Sequence, residues 1–358
     1  MGQPLRFLVA PDSFKGTIDA PEVARAIAAG LAEAGAEADL CPVADGGEGT
    51  AAALRAALGG SVREAASHDP LGRPLEASFV LLDDGETAVV DTAAASGLPL
   101  LAPAERDAEA ASTYGTGELI AAAIEVGART VILAAGGSAT TDGGAGATRA
   151  LRERGGLRGA RIEVLCDVET KFEDAARVFG PQKGADEAAV ARLDARLQAL
   201  AAELPRDPRG VPMTGCAGGL SGGLWAAFDA GLRSGAEYVL ELLGFERRLR
   251  EAGAAISGEG RIDSQSLEGK IVGQIARACA RAGLDLYVLV GRDALDRAAI
   301  GELPIRAIEE AGTVEALGAA AAAIARNADS PTPASQPRSS PGSRRSGSPP
   351  PRPPSSRR

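Results

Sequence analysis

Residues 130–147 read TVILAAGGSATTDGGAGA, and the meaning of this stretch decides the fold. Its first six residues are an apolar, partly β-branched run of the length of a buried strand. Five glycines, two threonines, a serine and an aspartate follow within a dozen positions. A strand that opens through such a loop into a helix is half of a parallel α/β unit. Glycine-dense loops leave amides bare, which suits an anion at a helix N-terminus. Gly136, Gly137, Ser138, Thr140 and Thr141 are therefore candidate phosphate contacts before a helix starting near Gly144. Tight strand–helix packing is the competing use of the same glycines. Asp142 would repel a phosphate, so it reads as a metal ligand or as a turn-stabilising carboxylate. Neither G-x-x-x-x-G-K-[ST] nor a G-x-G-x-x-G after a strand occurs in the chain.

The alternation continues outward from this point. RFLVA (6–10) reads as a strand, followed by a helix that Asp19 caps, Pro21 opens and Gly35 ends. DLCPV (39–43) is a second strand, leading to a helix beginning near Glu48. A helix ending at Gly127 precedes TVILAA, and another ending at Gly283 precedes LDLYVLV. This rhythm predicts a parallel sheet with helices on both faces. LEASFVLLDDGETAVVDTA breaks it with a hairpin signal at Asp84-Gly85, and 186–245 reads as helices without a parallel strand. The fold class expected is α/β with two α/β domains. Residues 1–64 with 253–328 form a flavodoxin-like domain, and 65–252 an inserted domain containing antiparallel strands. Residues 329–358 carry nine prolines, nine serines and six arginines and predict a disordered tail, since so little apolar surface cannot offset ordering.

Charge and composition narrow the function. The net charge is −10, and with six arginines and no acid beyond Asp329 the remainder carries −16. So acidic a body disfavours nucleic acid. The four cysteines are scattered without C-x-x-C, which excludes a zinc knuckle and argues against a disulfide framework. No apolar run reaches the ~20 residues of a membrane span, and the N-terminus lacks a signal-peptide pattern, so the cytoplasm is expected. His68 is the only histidine and sits in the turn-rich SHDPLGRP, a solvated loop position. Trp225 reads as core.

Five polar, Gly- and Asp-rich segments follow the putative strands: PDSFKG, ADGGEGT, GGSATTDGG, DVETK and GEGRIDSQSLEGK. In open α/β sheets ligands bind where such loops converge. The set offers amides, carboxylates and cations without histidine or cysteine, which is what phosphoryl transfer needs.

In this order APDSFKG, PVADGGEGT, AAASGL, YGTGELI, GGSATTDGGAG, VFGPQKGA and GEGRIDSQSLEGK resemble the glycerate kinases of the bacterial type-1 family, over about residues 6–325. The resemblance implies two α/β domains with the active site in the cleft between them. It implies transfer of the ATP γ-phosphate to a hydroxyl of D-glycerate, usually the 2-hydroxyl, with Mg²⁺. A non-catalytic nucleotide- or acid-binding relative, or a kinase of another small hydroxy acid, is the alternative. No oligomeric state follows.

Roles can then be assigned. Lys15 is expected on a phosphate or the substrate carboxylate, beside the substrate-binding Asp12 and Ser13. Asp45, near Glu48, is expected either to bind Mg²⁺ or orient the hydroxyl, or to cap the following helix. Arg261 and Lys270 suit a three-carbon acid, since a guanidinium fork matches a carboxylate. Asp263 is the preferred hydroxyl-orienting base, with Asp45 next. Gly258 and Gly260 offer amides to the nucleotide, Asp167 is a second metal candidate, and Ser96 either touches substrate or caps a local element. The chain departs from the family pattern in three places. The stretch between the GGAG helix and CDV is tens of residues shorter, ETKFEDAAR replaces an Asn-Pro-Leu segment, and Ile271-Val272 replaces a proline.

Overall fold

The protein is described as a computed structural model covering residues 4–14, 16–268 and 270–328. The predicted disordered tail lies outside these residues, as does Lys15. The strands are β1 (Arg6–Pro11), β2 (Glu37–Leu40), β3 (Ser61–His68), β4 (Pro74–Leu81), β5 (Thr87–Asp91), β6 (Thr130–Ala134), β7 (Arg161–Cys166), β8 (Gly231–Ser234), β9 (Ala254–Ile262), β10 (Leu286–Asp293) and β11 (Ile305–Glu310). They build two sheets.

The first sheet has the order β11-β10-β9-β1-β2, and every neighbouring pair is parallel. The second has the order β3-β4-β5-β6-β7-β8. Its β3–β4 and β4–β5 pairs are antiparallel and the remainder parallel. The hairpin predicted at Asp84-Gly85 is thus the turn between β4 and β5. The all-helical reading of 186–245 is corrected by β8, whose four residues GLRS carry one large apolar side chain and give no strand signal. β3, exposed along most of its length, is equally quiet in sequence.

Helices cover both faces of the first sheet. α1 (Ala20–Glu33) starts where expected, with the Asp19 carboxylate accepting from Glu22 N at 2.7 Å and Pro21 in the first turn. The later helices that matter to the site are α2 (Thr50–Leu58), α3 (Ala93–Ser96), α4 (Tyr114–Glu125), α5 (Ala145–Glu153), α6 (Ala175–Phe179), α7 (Glu187–Glu203), α8 (Cys216–Phe228), α9 (Gly235–Leu242), α10 (Phe245–Arg250), α11 (Ser264–Glu268), α12 (Ile271–Ala282) and α13 (Val314–Ala328). α1 and α13 close one face over Phe7, Val9, Ile27, Ile256 and Leu317.

Leu8, Val43 and Ile275 belong with Val80, Val89, Ile132 and Leu165 of the second sheet to one continuous cluster, which locks the two sheets together through a common core. With only 3% aromatic residues, Ala, Val, Leu and Ile fill it by close approach. A Cβ on Gly30 would stand 1.9 Å from Gly318 O, so the α1–α13 packing demands glycine.

Candidate active site

The C-terminal ends of β1, β9 and β10 splay around a cleft of about 490 Å³ lined by Asp12, Ser13, Asp45, Glu259, Gly260, Arg261, Asp263, Lys270 and Arg292, among others. The register explains why. Pro11 pairs with Gly258, and β9 runs on to Ile262 with only β10 beside it, so Glu259–Ile262 overhang the end of β1. Glycine keeps the two overhanging backbones close, since a Cβ on Gly291 would lie 2.7 Å from Gly260 O. Asp12 N donates to Gly258 O at 2.8 Å and Ser13 N to Asp12 Oδ1 at 2.6 Å, which pins the loop after β1 to the strand beside it.

Seven of the sequence candidates therefore meet in one place: Asp12, Ser13, Asp45, Gly260, Arg261, Asp263 and Lys270. Gly258 stands just behind them in β9, where a Cβ would be 2.3 Å from Leu289 O. Asp263 is engaged locally. Its Oδ1 accepts from Ser266 N at 3.3 Å while its own amide donates to Ser266 Oγ at 3.2 Å, a reciprocal pairing that starts α11.

Asp45 does not cap α2. Its Oδ1 accepts from Gly47 N at 3.0 Å within its own loop. The amides at the start of α2 are taken by Asp91 at the end of β5, with Oδ2 at 2.9 Å from Gly49 N and Oδ1 at 3.1 Å from Ala51 N. The cap expected from the preceding residue thus comes from the other sheet, and sequence spacing carries no sign of it. Burial pushes the Asp91 carboxyl up to about 6, against the pull of those two amides.

The 136–144 loop is a different kind of place. Only Gly136 and Gly137 reach solvent, and Ser138–Gly144 are buried. The Asp142 carboxylate accepts from Thr113 N (2.9 Å), Thr113 Oγ1 (2.8 Å), Gly144 N (3.0 Å) and Gly146 N (3.1 Å). The amides of Gly144 and Gly146 at the start of α5 are thereby occupied, and Asp142 stabilises the turn. Lys183 Nζ donates to Ser138 Oγ at 2.9 Å and Thr140 O at 2.6 Å. Burial lowers that ammonium to about 7, with Asp142 pulling the other way. The glycines serve close backbone contact. A Cβ on Gly218 would be 2.0 Å from Thr140 O, and one on Gly136 would be 2.5 Å from Gly47 Cα. The second contact places the Asp45–Gly49 loop, which lines the cleft, directly on the exposed tip of the glycine loop.

The remaining candidates lie elsewhere. Ser96 is buried and takes a 2.7 Å hydrogen bond from Thr116 Oγ1, and it is absent from the cleft wall. Asp167 is exposed beyond β7 in the second sheet. His68 ends β3 rather than sitting in a loop, with Nδ1 2.9 Å from Glu118 Oε2. Trp225 is half-buried under the Arg206 guanidinium at 3.7 Å, a cation–π stack instead of plain core.

Sequence reading passed over Glu259, Arg292 and Lys183, although Glu259 and Lys183 stand inside the GEGRID and VFGPQKGA motifs. Glu259 is the one of them that joins burial to a place in the cleft wall. Burial in the first place pushes its carboxyl up to about 7, a hydrogen bond with Ser266 and nearby Lys270 oppose this, and Asp263 and Asp45 add to it. Its Oε1 is buried without a hydrogen-bond partner.

Among the described residues no group of three or more His, Cys, Asp or Glu side chains is placed to hold a metal ion. A Mg²⁺ carried by substrate phosphates needs only one or two protein carboxylates, and Asp45 in the cleft fits that demand.

Parallel strand ends bring arginine, lysine and carboxylates to one polar cleft, the groups that a small-molecule phosphotransferase uses. Comparison with known proteins specifies which. The model of the glycerate kinase family matches residues 7–155 and 154–330, and the chain belongs to that family. It is 40% identical to the glycerate 2-kinase of Escherichia coli K12 over 304 aligned positions, covering 75% of this chain and 80% of that one. It is 38% identical to the glycerate kinase of Bacillus subtilis 168, covering 85% and 89%. A crystal structure from Salmonella typhimurium LT2, provisionally assigned as glycerate kinase 2, superposes with a TM-score of 0.80 at 32% identity, covering 91% of this chain and 98% of that one. The two parts of the family match abut at Arg154–Gly155, in the tight turn between α5 and β7 where the sequence is shorter than the family pattern.

Proposed function

We propose that the protein transfers the γ-phosphoryl group of ATP to the 2-hydroxyl of D-glycerate, giving 2-phosphoglycerate and ADP, with Mg²⁺. The observation that carries this reading is the convergence of Arg261, Lys270 and Arg292 with Asp12, Asp45 and Glu259 on one cleft. A three-carbon hydroxy acid asks for a guanidinium fork on its carboxylate, and Arg261 offers one. Lys270 and Arg292 offset the charge of the donor's phosphates, and the buried Asp12 holds Ser13 at the cleft wall. Asp45 would hold the Mg²⁺, which supplies charge neutralisation on the transferring group. The choice of the 2-hydroxyl is supported by the name of the Escherichia coli relative. The altered ETKFEDAAR segment, which favoured a non-catalytic relative, contributes no residue to the cleft wall.

Nothing in the charge balance invites nucleic acid, and no helix of the described residues is long and apolar enough to cross a membrane. Four free, buried cysteines suit the cytoplasm, where we place the enzyme. The test is ADP release by the purified chain with Mg-ATP and D-glycerate, L-glycerate, D-lactate or tartronate. The product is then assigned by ³¹P NMR. Turnover with D-glycerate alone and a 2-phosphate product is expected; preference for another acid would transfer the reading to that acid.

A further inference from the structure

We propose that Glu259 is the catalytic base that takes the proton from the acceptor hydroxyl; this rests on the kinase reading of the same cleft. Glu259 lies on the overhang of β9 and lines the cavity between Arg261, Lys270 and Asp45. Among the described residues it has the only buried carboxylate oxygen without a hydrogen-bond partner; the other orphaned side-chain atoms are four threonine hydroxyls and Arg106 Nε. None of those five lines the cleft. An orphaned buried acceptor costs stability, and such a cost is retained where a ligand supplies the missing donor. An acceptor hydroxyl is the donor this oxygen lacks.

The other cleft carboxylates each hold a hydrogen bond within their own loop. Asp263 is tied to Ser266, Asp45 to Gly47 N and Asp12 to Ser13 N. Rotation about the Glu259 side-chain bonds brings the buried Oε1 to the hydroxyl. The acceptor O–H bond then breaks with its proton passing to Oε1. An O–P bond forms to the γ-phosphorus, and the bond to the bridging oxygen breaks with its electron pair leaving on ADP. The proton returns to solvent after product release.

The groups facing Glu259 are Ser266 and Lys270, which favour its charged form, and Asp263 and Asp45, which oppose it. A general base gives a rate limb that rises with pH as it loses its proton. The experiment measures kcat, KM for D-glycerate and the pH profile for wild type, Glu259→Gln and Glu259→Asp, alongside D-glycerate binding by calorimetry. General-base loss costs about 10²–10⁴-fold. Glu259→Gln should lose that much of kcat, bind D-glycerate within about threefold of wild type and lack the rising limb, with Glu259→Asp recovering part of the rate. Wild-type turnover with a Gln variant within tenfold and an unchanged pH limb would overturn the base and leave the kinase reading intact. A wild type without turnover on D-glycerate would overturn both.

Discussion

Two glycine-rich strand ends in this molecule look alike in sequence and behave oppositely. In GEGRID the glycines let β9 and β10 overhang with their backbones close, and the side chains between them face a cavity. In GGSATTDGG they let the loop bury itself against Gly218 and Gly47, and its polar groups are consumed internally by Asp142 and Lys183. Glycine density reports close backbone approach. Whether a ligand or another segment makes that approach depends on where the neighbouring carboxylates and cations point.

The largest effect that would break this contrast is Asp142→Ala. Four donors would be left buried without an acceptor, and about 3–5 kcal/mol of stability should be lost by the measure of other buried charged groups. The Mg²⁺ dependence of the remaining activity should not move; a raised Mg²⁺ requirement would make Asp142 a metal ligand. Denaturant unfolding and a Mg²⁺ titration supply both numbers.

Arg261→Lys should sharpen the other half. Replacing a bidentate fork by a point charge should raise KM for D-glycerate about tenfold, or ~1.4 kcal/mol, with kcat little changed. Equal KM values would take Arg261 out of the acid subsite.

A smaller pair of effects distinguishes the regions by pH. Glu259 has its folded value raised to about 7. Its contribution to stability is therefore full below its ordinary range near 4.5 and lost as pH rises through 7. Asp91, raised to about 6, acts in the same direction. Lys183 is lowered to about 7, so its contribution is full above its ordinary 10.5 and lost as pH falls through 7. Stability should thus pass through a shallow minimum near neutrality. Glu259→Gln should flatten the acid side and Lys183→Met the alkaline side, as read by urea midpoints from pH 5 to 10. A Gln variant with the wild-type acid slope would deny Glu259 its buried state.

Much of the architecture was legible because it rests on long apolar runs and on caps of adjacent residues. RFLVA, TVILAA and LDLYVLV are strands, and Asp19, Gly127 and Gly283 bound their helices as read. β8 and β3 escaped, one too short and the other too polar for periodicity to mark. The cleft was legible through the rule that ligands gather at strand ends, which placed seven candidates together. What the rule could not do was separate the two sheets' edges: Ser96, Asp167 and the glycine loop belong to the second sheet and do not line this cleft. The reach of Asp91 across to α2 and the buried state of Glu259 arise from tertiary packing alone. No local spacing encodes either.

Under the proposed function the overhang of β9 and β10, rather than the glycine loop, receives the substrates. Hydrogen exchange by mass spectrometry on the whole chain, with and without D-glycerate and a non-hydrolysable Mg-ATP analogue, tests it most directly. Added protection over 258–263 and 290–293, with 138–146 unchanged, is the predicted result. Protection confined to 136–146 would contradict the account.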